Sequence, residues 1–118
     1  FGQARVEPAH MPMAPVPAAE RALAAAGVRP ADLDAVTTHN PFIVNDLVLG
    51  QALGLDPARF NAYGCSLVWG HPQAPTGVRS IIELIETLVL RGGGTGLFTG
   101  CAAGDSAMAV VLRVEGGK

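Results

Sequence analysis

The chain has 118 residues, 49% of them hydrophobic and 15% charged, with a formal net charge of −2. That supplies one hydrophobic core and too little length for two comfortable domains. No basic excess is available for a nucleic-acid backbone or an anionic membrane. The longest apolar runs, such as Ala107 to Leu112, fall short of the ~20 residues that a spanning helix needs. Neither nucleic acid nor membrane is therefore expected as a partner, and a cytoplasmic setting is expected. Cys65 and Cys101 are too few for a disulfide framework and are expected to be free thiols.

In chain order, Phe1 to Glu7 is extended in character, begins without methionine, and is expected to be the remainder of a strand in a longer chain. Residues 8 to 17 carry four prolines, which remove donors and restrict their predecessors, so an irregular loop is expected there. Pro17 suits a first helical position, "AAERALAAA" has near-maximal helix propensity and Gly27 supplies a left-handed stop, which predicts a helix over 17–26. "LDAVTTH" predicts a short buried strand delivering His39 at its carboxyl end. "FIVNDLVLGQALG" predicts a second helix, with Ile43, Leu47 and Gly50 on one stripe and Leu49 and Leu53 beside it, ending at Gly54.

Periodicity is lost from Asp56 to Pro75, and a loop of that length inside a compact domain is commonly functional. Thr76 is placed to cap a helix running to Leu90. Val78, Ile81, Ile82, Ile85, Leu88 and Val89 form its apolar face, and "GGG" closes it. "GLFTG" at 96–100 and "AMAVVLRV" at 107–114 predict two strands around the turn "CAAGDS". Helices interleaved with apolar strands imply an α/β fold with a mixed, mostly parallel sheet packed by helices, the last strand antiparallel to its predecessor.

Three polar groups fall where such sheets carry their sites, at strand ends and in the long loop: His39, His71 and Cys101. His71, between Gly70 and Pro72, is either an aimed base or a loop histidine bonded to a neighbouring carbonyl. Cys101, among small residues that allow close approach of a ligand, is either an acid, base or nucleophile or a small buried hydrophobe. A zinc set of His39, Cys65, His71 and Cys101 lacks the short paired spacings of structural sites, so no metal is expected. The "GGGTG" run follows a helix instead of opening one and is a helix stop, not a phosphate cradle. His10 is expected at the surface, and Trp69 is expected to anchor the long loop.

These residues also carry a resemblance. "PVPAAERALAAAGVRPADLDAV", "GHPQAPTGVR" and "GLFTGCAAGDSAMAVVL" together resemble, in order and over the whole chain, the C-terminal portion of a thiolase. The resemblance implies the C-terminal half of a layered α-β-α-β-α fold, with residues 1–118 as one thiolase C-terminal domain and the N-terminal domain on a separate segment. It implies an acyl-CoA acyltransferase performing Claisen condensation or thiolytic cleavage of a 3-oxoacyl-CoA, with coenzyme A as substrate, no tightly bound cofactor, and a homo- or hetero-oligomeric state. His71 would deprotonate a nucleophilic cysteine and help bind the thioester oxygen, and Cys101 would exchange a proton with the α-carbon. His39 stands where the commoner family pattern, Asn-Glu-Ala-Phe, has asparagine; His39-Asn40-Pro41-Phe42 is similar to the sterol-carrier-protein type and implies an oxyanion-hole role. Ala103, Gly104, Phe42 and Gly70 are implied to be substrate-binding. The Cys-X-Gly turn of the family is here Cys101-Ala102-Ala103, whose third amide still donates if its φ suits an L-residue. The nucleophile belongs to the N-terminal half in this family, and Cys65 does not match it. Two other readings stay open: a thiolase-like subunit that binds acyl-CoA or supports aldol cleavage without thiolysis, and a cysteine–histidine hydrolase using Cys101 and His71.

Overall fold

The computed structural model describes residues 1–116. Four strands, β1 (Gly2–Arg5), β2 (Ala35–His39), β3 (Gly94–Ala102) and β4 (Ser106–Val114), form one sheet in the order β1-β4-β3-β2. Helices α1 (Pro15–Ala26) and α2 (Ile43–Leu53) pack on one face and α4 (Ala74–Leu90) on the other, with a single-turn helix, α3 (Ser66–Trp69), before α4. The α/β class and the antiparallel last pair agree with the sequence. The sheet is mixed, as expected, with a larger antiparallel share: β2 and β3 run parallel, while β3–β4 and β1–β4 are antiparallel. The β3–β4 pair is antiparallel for a local reason: three residues, Ala103 to Asp105, suffice to turn β3 into β4, and a turn that short forces antiparallel pairing.

Period-2 alternation along β3 divides the core. Leu97 faces α1 and α2 in a cluster with Val36, Ala107 and Ala109, whereas Phe98 faces α4 in a cluster with Ala35, Leu84 and Leu88. The alanine-rich α1 approaches the sheet closely: Ala14, Ala18, Ala19 and Ala22 are fully buried. On the other face, a Cβ at Gly96 would stand 2.7 Å from Leu84 Cδ1, so the glycine is what lets α4 lie down on β3.

Several expected boundaries move. The proline-rich segment contains a 3-10 turn, Met11–Met13, and α1 starts at Pro15, since a proline ring is as compatible with the first helical turn as it is hostile to later ones. The long loop is partly regular, with a 3-10 turn at Pro57–Arg59 and α3, and α4 begins at Ala74. In α2 the expected apolar face divides: Ile43 is 59% and Leu47 53% exposed, while Leu49 and Gly50 are buried together with Asn45 and Asp46. The apolar residues of α4 also divide: Leu84 and Leu88 face the sheet, and Val78, Ile82, Ile85 and Val89 face outward. No helix among the described residues is long and apolar enough to cross a membrane.

Candidate active site

The carboxyl ends of β2 and β3, the parallel pair, lie side by side, with His39 opposite Gly100 and Cys101 one residue further on. Open α/β sheets place their ligands beyond such strand ends. Cys101 is therefore the penultimate residue of a strand and not, as the sequence suggested, part of the turn; nine-residue pairing with β4 carries β3 past Gly100. His39, His71 and Cys101 line one open pocket of about 420 Å³, together with Gln73, Thr76, Gly77, Phe98, Gly100, Ala102 and Ala103.

Each side chain is aimed by identifiable contacts. Thr37 bonds the Ser80 carbonyl on α4, Thr38 bonds Asp46 on α2, and His39 returns to the α4 side by the same alternation. There its Nδ1 meets Ser66 Oγ at 2.8 Å, and its ring stacks on that of His71 with centroids 4.2 Å apart. A Cβ at Gly100 would come within 2.9 Å of His39 Cβ, so only glycine leaves room for the imidazole there.

His71 Nδ1 meets Thr76 Oγ1 at 2.8 Å. The hydroxyl expected to cap α4 instead orients the histidine, and the partner of His71 is a side chain and not the backbone carbonyl considered from sequence. Neither ring's Nε2 has a hydrogen-bond partner among the described residues, which leaves one nitrogen of each available to a ligand.

Cys101, one residue past the partner of His39, lines the same pocket and turns its sulfur toward α2, where the buried Asn45 amide donates to Sγ at 3.6 Å. Burial pushes the thiol's pKa up, opposed by its own backbone amide and by Asn45. Burial also lowers the pKa of His39, with a smaller contribution from His71 beside it. At neutral pH the resting pocket thus holds a thiol and an uncharged His39.

Beneath the pocket lies a polar lock. Asp46 accepts from Thr38 Oγ1 at 2.7 Å and from Asn40 Nδ2 at 2.6 Å, so one carboxylate grips the residues on both sides of His39. Asn61 closes the edge of β2 by accepting from Thr38 N and donating to Thr38 Oγ1.

Ala103 joins the pocket and lacks a positive φ; the left-handed positions of the turn are Gly104 (φ 81) and Asp105 (φ 54). Gly104 lines a separate depression with Arg5 and Arg21, Gly70 borders a narrow cleft with Cys65 and Trp69, and Phe42 is an exposed residue preceding α2. These three are not brought into the histidine pocket. Trp69 packs against Gly64 and under the Arg79 guanidinium, 4.9 Å from the ring centre, and so anchors the loop as expected. Both cysteines are free, and His10 is exposed. Among the described residues no group of three or more His, Cys, Asp or Glu side chains is placed to hold a metal.

Ser66, Thr76, Asn45 and Asp46 were not found from sequence as site residues. A signal existed for two of them: the pair Asn45-Asp46 interrupts an otherwise apolar helix, and buried polar pairs on a helix are expected to have partners.

The family model for "Thiolase, C-terminal domain" matches residues 1–114. The chain belongs to the thiolase family. It is 34% identical to acetyl-CoA acetyltransferase of Escherichia coli over 96% of its own length and 29% of that protein. It is 41% identical to a 3-ketoacyl-CoA thiolase of Pectobacterium carotovorum over 88% of its length and 28% of that protein. Human mitochondrial 3-ketoacyl-CoA thiolase, solved in complex with CoA, superposes with a TM-score of 0.89 at 30% identity, covering 95% of this chain and 28% of that one. This thiolase C-terminal domain thus spans less than a third of the length of these relatives.

Proposed function

We propose that residues 1–118 form a thiolase C-terminal domain supplying the base, the acid/base thiol and one oxyanion donor to an acyl-CoA acyltransferase, whose nucleophile comes from an N-terminal thiolase chain or domain. The observation that carries this reading is the common pocket of His39, His71 and Cys101 at the carboxyl end of the parallel pair, in a chain of this family. In cleavage, the nucleophilic sulfur, its proton taken by His71 Nε2, attacks the 3-oxo carbon of a 3-oxoacyl-CoA. The bond between the second and third carbons breaks and its electron pair passes to the second carbon. Cys101 Sγ–H then protonates that carbon, and the sulfur is left as thiolate to take the proton of the incoming CoA thiol as the acyl group transfers to CoA; the nucleophilic sulfur leaves the acyl carbon and regains its proton from His71. Condensation is the reverse. A thiol held up by burial starts in the form that cleavage needs.

His39 Nε2 donates to a developing oxyanion, and the Ala103 amide is suited to a second, since its φ is ordinary for an L-residue. Gly104, Gly70 and Phe42 act at the edges of the substrate path. Coenzyme A is the substrate, and acid/base and nucleophilic groups suffice without a tightly held cofactor. Two free cysteines fit a reducing compartment such as the cytoplasm. The outward stripe of α4 fits cover by the N-terminal segment and an oligomeric assembly.

Acyl-enzyme formation from a labelled simple acyl-CoA, measured beside α-hydrogen exchange into deuterated water, tests the assignment in the intact enzyme. His71→Ala should slow acylation, because an unassisted thiol near pKa ~8.5 is mostly protonated at neutral pH. Cys101→Ser should acylate yet lose α-hydrogen exchange, since a hydroxyl is a far weaker acid. The reverse pattern refutes the mechanism. No acylation by the unaltered enzyme points to the non-thiolytic, acyl-CoA-binding subunit.

A further inference from the structure

Asn45 sits in the first turn of α2, 2% exposed, on the helix face that packs against the sheet. Its Nδ2 donates to Cys101 Sγ at 3.6 Å, and its Oδ1 is buried with no partner among the described residues. An apolar residue of similar size would avoid the cost of that stranded oxygen. The polar group is retained where it meets the thiol. An N–H donor binds a thiolate far more strongly than a neutral thiol, so this contact discriminates between the two protonation states of the sulfur.

We propose that Asn45 is the positioning residue of Cys101: its amide fixes the direction of the sulfur and stabilises the thiolate, allowing a buried thiol to release and regain its proton. The direction of the Cys101 shift agrees, with burial raising the pKa and Asn45 opposing it. The other titratable groups that line the pocket with Cys101 are His39 and His71, and Asp46 follows Asn45 on α2 with its oxygens occupied by Thr38 and Asn40; β4 places Ala107 opposite Cys101. For its place in the reaction, the proposal rests on the thiolase-type reading above.

The test is the pH dependence of iodoacetamide alkylation at Cys101 in the intact protein, resolved by peptide mass spectrometry with Cys65 as internal reference. Asn45→Leu keeps the volume and removes the donor. Its Cys101 profile should move up by about one pH unit, leaving about tenfold less thiolate at a given pH below the midpoint. Asn45→Asp, which replaces the donor with a negative charge, should move it at least as far. Profiles that superpose on the unaltered protein's overturn the proposal. If neither variant folds, the ¹⁵N side-chain amide resonance of Asn45 in the unaltered protein decides: it should shift with the titration of Cys101, and a resonance indifferent to that titration overturns the proposal. A displaced profile in a protein without acyl transfer refutes the thiolase reading and leaves the role of Asn45 standing; an unmoved profile in an active enzyme refutes Asn45 alone.

Discussion

The imidazoles of His39 and His71 stack at 4.2 Å with their planes 29° apart, each tied through Nδ1 to a hydroxyl of a different helix, Ser66 on α3 and Thr76 on α4. A strand and a loop, 32 residues apart in sequence, thereby place two bases in van der Waals contact. Burial, and to a lesser degree the His71 ring beside it, disfavours a proton on His39.

The lowered pKa of His39 makes stability depend on pH in a defined direction. Unfolded, His39 takes up a proton as the pH falls through about 6.5; folded, it resists until lower pH. Between those values the unfolded chain binds more protons, so its contribution is fully present above about 6.5 and is lost as the pH falls through the folded pKa. Urea midpoints of the intact protein should therefore fall between pH 7.5 and 5.5, and less so in His39→Gln. An equal fall in both would remove His39 as the cause.

His39→Ala should lower kcat by ~10²–10³ with little change in KM, since an oxyanion donor acts mainly where negative charge develops. An unchanged kcat with a raised KM would make His39 a ground-state binding residue.

Thr76→Val removes the hydroxyl that orients His71 while keeping the buried volume. We expect kcat to fall about ten- to a hundredfold through misalignment of the base, and Thr76→Ser to restore most of it. Thermal midpoints for the two variants separate orientation from folding: a loss of activity that follows a loss of stability would count against the role.

The outward residues Val78, Ile82, Ile85 and Val89, spaced by four, three and four, form a second apolar stripe on α4, 38–62% exposed. A stripe of that spacing suits packing against another helix. The isolated chain should self-associate, and Ile82→Lys with Val89→Lys should make it monomeric by light scattering while weakening assembly with the N-terminal segment. A monomeric unaltered chain that unfolds cooperatively would show that the stripe needs no cover.

The order of elements was legible because it rests on local chemistry: Gly27 and Gly54 as left-handed helix stops, β-branched residues in β2, a glycine-rich turn before β3. The three chemical side chains were legible for a related reason, since strand ends and a structureless run mark where α/β sheets carry sites. What was not legible depends on tertiary partners. Ile43 and Leu47 outrank Asn45 and Asp46 on any apolar scale, yet the polar pair is buried, because Thr38, Asn40 and Cys101 supply the hydrogen bonds. Thr76 appeared to be a helix cap for want of knowledge that His71 would lie beside it. The share of antiparallel pairing was not legible, because β1 joins β4 through Gly2 and Ala109, at opposite ends of the chain, and nothing local in the sequence marks that pairing.

Cys101 and His71 are mounted differently. The thiol rides on a strand paired with β4 from Gly94 to Ala102, so its backbone cannot shift without unzipping nine residues. The imidazole hangs from the connection between α3 and α4, held by Thr76 and by the packing of Trp69. Insertions between Gly54 and Ala74 would therefore re-aim the base by ångströms and leave the thiol in register. Descendants of this scaffold can diverge in what they accept by changing the length of one loop, with every strand untouched.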